Sequence, residues 1–183
     1  MKRLVMAAVA MAMMAWSGSA MAQSFTAGNA VVTGLGDEIL SGFDTFNITG
    51  QSGSWPDSSP QTIANLVFNQ GPNCIFCNLT PSGLLGFSLT VGSVTDTAYV
   101  GWAWSSVGCC DTLALTAPAD MTFVQPDGEV DTVVFKPLAP LAPGNGTTAT
   151  GTLDASVQVP EPVSMVLLGT GMLGLGIVRR RRR

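Results

Sequence analysis

The chain is 183 residues long, enough for one ordinary domain with short appendages. Seven of its eight basic residues sit among the first three and last five positions, so residues 23–159 set eleven carboxylates (Asp37, Glu38, Asp44, Asp57, Asp96, Asp111, Asp120, Asp127, Glu129, Asp131, Asp154) against Lys136 alone, a net charge of −10. A segment with one lysine, no arginine and no histidine cannot neutralise a phosphate backbone or build an imidazole-based nucleophile system, which excludes nucleic-acid binding and the Ser/His/Asp and Cys/His classes of catalyst.

Residues 1–22 open on Lys2 and Arg3, run apolar from Leu4 to Trp16, and close on Ala20-Met21-Ala22. A positive start, a short apolar run and a small-x-small end are the layout of a secretory signal peptide, with cleavage between Ala22 and Gln23. The apolar run is shorter than the about 20 residues a membrane-spanning helix needs. Signal peptidase is therefore the first partner of the chain, and the exported part occupies an oxidising compartment.

From Ser24 to Val159 short apolar or alternating runs are separated by Gly, Pro, Asn, Asp and Ser clusters, the grammar of strands and turns. A strand is expected over 43–49. Trp55, inside a Ser/Gly-rich stretch and followed by Pro56 and Asp57, is expected to be exposed. Residues 62–69 are ambiguous: Ile63, Leu66 and Val67 fit a helical stripe, whereas Val67-Phe68 between Pro60 and Gly71 fits a strand. Alternation is clearest where Leu85, Phe87, Leu89 and Val91 oppose Gly86, Ser88 and Thr90, which a period of two places on opposite faces. Val100, Trp102 and Trp104 repeat it and are expected to face a core; an exposed version of that face would stack sugar rings instead.

Further strands are expected over 112–116, 121–124 and 132–135. Residues 137–146, with three prolines and two glycines, form a loop before a last alternating strand in which Ala149, Gly151, Leu153, Ala155 and Val157 share a face. The sum is an all-β fold, an antiparallel sandwich or barrel. No internal repeat is present, and the sequons at Asn47, Asn78 and Asn145 are uninformative in so Thr-rich a chain.

Four cysteines lie in the exported part: Cys74 and Cys77, two residues apart, and the adjacent Cys109 and Cys110. An even count after export points to disulfides, and a ring between neighbours is strained, which favours two links between the two segments. Four thiolates binding zinc and a redox Cys-Ile-Phe-Cys centre are the competing readings; adjacent cysteines suit the first poorly, and the second lacks a strand-helix-strand setting. Asp127, Glu129 and Asp131, two residues apart, offer oxygens to calcium or form a solvated turn. They do not make a helix-loop-helix calcium loop, because Thr132 and Leu138 stand where Gly and Glu are needed. Carboxylates alone remain for a hydrolase, and none of the eleven is paired by sequence. No cofactor and no catalytic residue is expected.

Pro160, Glu161 and Pro162 are followed by sixteen residues without charge, Val163 to Val178, and by Arg179, Arg180, Arg181, Arg182 and Arg183. As a helix the apolar run is ~24 Å long, able to insert in a somewhat thinned bilayer with the arginines on the cytoplasmic side. This order closely resembles the PEP-CTERM sorting signal of exosortase substrates. The resemblance, confined to residues 160–183, implies a Gram-negative envelope, a precursor held in the inner membrane, cleavage near Pro-Glu-Pro by a membrane-embedded exosortase, and association with exopolysaccharide. With the leader read from its own layout, the chain divides into a leader (1–22), an acidic β-rich exported domain (23–159) and a sorting tail (160–183). The exported domain is then a non-enzymatic surface or matrix protein, with a carbohydrate-binding module using Trp55 or the Trp102/Trp104 face as the alternative, and a carboxylate-only hydrolase as the third.

Overall fold

The computed structural model describes residues 22–33, 44–71, 82–107, 110–144 and 146–158. The expected leader up to Met21, Cys74, Cys77, Cys109, the side chain of Cys110, and the Pro-Glu-Pro motif with its apolar run and arginines lie outside the described residues. The strands are β1 (Gln23–Ala27), β2 (Ala30–Thr33), β3 (Thr45–Gly50), β4 (Ser52–Trp55), β5 (Gln61–Asn69), β6 (Ser82–Val91), β7 (Val94–Val107), β8 (Cys110–Thr116), β9 (Met121–Val124), β10 (Val130–Phe135) and β11 (Thr148–Gln158). They form a five-stranded sheet in the order β4-β1-β6-β7-β8 and a six-stranded sheet in the order β2-β3-β5-β11-β10-β9. Every pairing is antiparallel.

The expected periodicities are realised. Phe87, Leu89 and Val91 of β6, Val100 and Trp104 of β7, and Leu153, Ala155 and Val157 of β11 are buried in one core shared by both sheets, and Leu85, Trp102 and Ala149 pack against it half-buried. β6 and β7 meet in a two-residue hairpin at Gly92-Ser93. Gly92 has φ +58°, and a positive φ at the first central position is the turn that matches strand twist and calls for glycine. A Cβ there would also lie 2.7 Å from Gln125 Oε1.

The ambiguity over 62–69 has a physical cause. β5 is a strand, but its register against β11 shifts between Leu153 and Asp154, so that Leu153 faces Ala64 while Asp154 faces Thr62. Ile63 is the extra residue of a bulge, and both Ile63 and its neighbour Ala64 are buried. Two consecutive inward residues break the period of two and imitate a helical stripe.

Trp55 corrects the sequence-based expectation: it is 1% exposed, not on the surface. Its β4 neighbours are Ser and Gly, which carry no hydrophobic pattern, yet β1 pairs β4 with Gln23 opposite Trp55 and turns the indole inward. The ring meets Phe25 at 4.5 Å between centroids with a 40° tilt, and Nε1 donates to the Ala155 carbonyl at 2.9 Å. The proline-rich loop after β10 is also ordered by a partner: Leu141 exchanges two backbone hydrogen bonds with Leu113, 2.8 and 2.9 Å, and so fastens the loop to β8 of the opposite sheet.

Candidate functional surfaces

Strand directions gather the start of the first strand and the end of the last one at one place. Gln23 begins β1 beside the Gly92-Ser93 hairpin, where Gly92 donates its N–H to the Ser24 carbonyl at 2.9 Å. Gln158 ends β11 opposite Thr132, the third residue of β10. Between these two ends lies Asp131, 0% exposed on the inner face of β10. One of its oxygens, Oδ2, accepts from Gln125 Nε2 at 2.8 Å and from the Gln23 side-chain amide; the other, Oδ1, has no hydrogen-bond partner among the described residues. Gln125, itself buried, also donates to the Val91 carbonyl at 3.0 Å and accepts from Ser93 N and Oγ, both at 3.3 Å. Sequence alone marks neither glutamine, because both are ordinary polar residues at strand ends.

This arrangement separates the three calcium candidates. Asp127 and Glu129 are exposed in the turn between β9 and β10, where Asp127 Oδ1 accepts the Glu129 N–H at 3.0 Å, whereas Asp131 turns inward to the two amides. No group of three His, Cys, Asp or Glu side chains able to hold a metal ion occurs among the described residues. The same end of the molecule carries exposed Asp57 and Asp96. Asp57 Oδ1 accepts the Ser59 N–H at 2.8 Å, and hydrogen bonds from the Ser59 side chain and backbone hold the Asp57 carboxyl below its usual value.

The opposite end holds the described strand ends that flank the cysteine segments: Asn69 and Ser82 around Cys74 and Cys77, Val107 and Cys110 around Cys109. Trp102 and Trp104 point inward nearby, with both indole N–H groups buried and without a partner among the described residues, as is the side-chain amide of Gln70. Trp104 is 2% exposed, and the half-buried Trp102 lies across Gly83, where a Cβ would be 2.8 Å from its Cζ2. Burial of Trp55 and Trp104 removes them as sugar-stacking platforms.

Two other surfaces are shaped. A groove of about 340 Å³ runs between the proline-rich loop and the six-stranded sheet, lined by Leu66, Lys136, Leu138, Thr150, Thr152 and Asp154. It contains Lys136, the single base of residues 23–159, whose backbone N–H donates to the Asp154 carbonyl at 2.9 Å. The outer face of the five-stranded sheet is uncharged and hydroxyl-rich, with Tyr99 52% and Leu84 71% exposed. Each lies over a glycine of the neighbouring strand: a Cβ on Gly86 would be 2.9 Å from Tyr99 Cε1, and one on Gly101 would be 3.8 Å from Leu84 Cδ2. Glycine floors let both side chains lie flat.

No helix among the described residues is long and apolar enough to cross a membrane. Residues 158–183 match the family model of the PEP-CTERM protein-sorting motif, in agreement with the resemblance of the tail. No curated protein and no solved structure matches the chain.

Proposed function

We propose that the protein is a non-enzymatic component of the cell surface and its extracellular polysaccharide matrix, exported by the leader, held in the inner membrane by the tail, and handed over by exosortase. The PEP-CTERM motif over 158–183 is the observation that carries this reading, since it implies an exported precursor sorted to the surface. The motif begins on the last residue of β11, so that a cut near Pro160-Glu161-Pro162 leaves every described strand of the domain intact. In an acidic, histidine-free domain, contact through uncharged outer faces is favoured over catalysis. Mass spectrometry of the protein from a Gram-negative envelope, with and without the sorting enzyme, tests it. The expected product starts at Gln23 and ends near Pro160 only when the enzyme is present; an intact Arg183 in both strains overturns it.

A carbohydrate-binding module is the second reading, and the flat Tyr99/Leu84 face favours it in place of the tryptophans. Sugar rings present C–H faces that stack on an aromatic side chain, and the surrounding Ser and Thr hydroxyls match their polar edges. Tyr99→Ala is expected to abolish retention on isolated exopolysaccharide while changing stability by less than about 0.5 kcal/mol. Unchanged retention rejects this face.

A further inference from the structure

We infer that the buried Asp131 carboxylate is the receptor for the α-ammonium group that cleavage between Ala22 and Gln23 creates, so that removal of the leader completes the core of the domain. The inference rests on the reading of residues 1–22 as a signal peptide.

A carboxylate that is fully buried is normally paired with a cation or saturated with hydrogen bonds, because it has lost its water. Asp131 is 0% exposed, holds two amide donors on Oδ2 and none on Oδ1. Nothing in the exported domain supplies a cation to it. The only base, Lys136, follows the far end of β10, is exposed, and lines the groove beside the proline-rich loop.

Maturation itself supplies one. Hydrolysis of the Ala22–Gln23 bond adds water across it, leaving a carboxylate on Ala22 and turning the Gln23 nitrogen from a neutral strand amide into an ammonium with three donors. Gln23 already touches Asp131 through its own side-chain amide, so its α-nitrogen lies within one glutamine side chain of the carboxylate. Ala22 is exposed, which leaves the scissile bond at the rim of the domain. A charge pair formed there has one buried partner, Asp131, and therefore acts at a lower effective dielectric than a pair in open solvent. Before cleavage the Gln23 nitrogen is a neutral amide with no charge to offer Asp131, so the domain reaches its full stability only without the leader.

The chemistry provides its own probe. The exported product has two amines, the α-amine of Gln23 and the side chain of Lys136. Free α-amines, with pKa about 7.7–8.0, ordinarily acylate ahead of lysines near neutral pH. The full-length chain is expressed in a host with signal peptidase, and the exported product is treated with a limiting amine-acylating reagent and mapped by mass spectrometry. In the folded protein Lys136 is expected to label first, with Gln23 at least about tenfold slower than in the same protein unfolded in urea. Asp131→Asn is expected to restore fast labelling. Should that variant not fold, one alanine inserted between Ala22 and Gln23 moves the amine outward and is expected to do the same.

A folded wild-type Gln23 amine that labels as fast as the unfolded one overturns the inference, as does a Gln23 that has closed on its own side chain with loss of ammonia. A terminus other than Gln23 overturns the leader boundary together with the inference, whereas Gln23 at the terminus with a reactive amine overturns the inference alone.

Discussion

Gln125 spans the two hairpins at the end where the domain's ends converge, holding Val91, Ser93 and Asp131 at once. Replacing it with alanine strips Asp131 of a donor and leaves the Val91 carbonyl without its side-chain partner. The expected cost is about 2–4 kcal/mol, read as a lower urea midpoint with unchanged slope. Trp55 anchors the same region from β4. Trp55→Ala is expected to cost about 3–5 kcal/mol through the cavity it leaves, and Trp55→Phe less, because only the indole edge and its hydrogen bond to Ala155 are lost. Asp57 acts through its ionised form: its folded value lies below the unfolded one, so its contribution is present at neutral pH and disappears as pH falls through the lowered value. An NMR titration of the Asp57 carboxyl is expected to give a midpoint below that of the unfolded chain.

At the scale of elements, the strands visible in the sequence are those with a buried face and a polar one. β6, β7 and β11 alternate over many residues because one side meets the core and the other meets water. β4 was not visible, since Ser52-Gly53-Ser54 has no apolar member to alternate and only its partner β1 makes it a strand. The bulge at Ile63 hid β5 for the opposite reason, by adding an inward residue to an otherwise regular strand. Gly92→Val is expected to cost well over 1 kcal/mol, because valine combines a left-handed backbone with a Cβ driven against Gln125, and thermal unfolding of the two proteins measures it. The hairpin and Gln125 would loosen together, so Gly92→Val and Gln125→Ala are expected to cost less in combination than in sum.

On the scale of the whole molecule, polarity follows from strand direction. The last described strand ends, at Gln158, on the side that carries Asp57, Asp96, Asp127 and Glu129, and the strand ends flanking the cysteine segments lie at the other. On the proposed sorting route an anchored tail would bring this acidic end toward the membrane, where like charge would keep the domain off anionic lipid. Asp127→Lys with Glu129→Lys is expected to draw the purified protein onto anionic vesicles at low salt and release it at high salt, with wild type binding at neither. If the cysteine segments are cross-linked to each other, each link closes a loop of about 35 residues, and reduction is expected to cost about 3–4 kcal/mol in the chain-entropy model.

The amino-acid sequence by itself determined the β class, the acidity of the exported part and the address at the tail, because period-two burial, net charge and a linear sorting motif are all properties of neighbouring residues. Tertiary structure alone decided that Trp55 is buried, that Asp127, Glu129 and Asp131 part company, and that Gln23, Gln125 and Asp131 meet. Those outcomes depend on which strands pair and which sheet faces pack. The contact between Gln23 and Asp131 spans 108 positions of chain, and only sheet packing can bring a strand end to a carboxylate that distant.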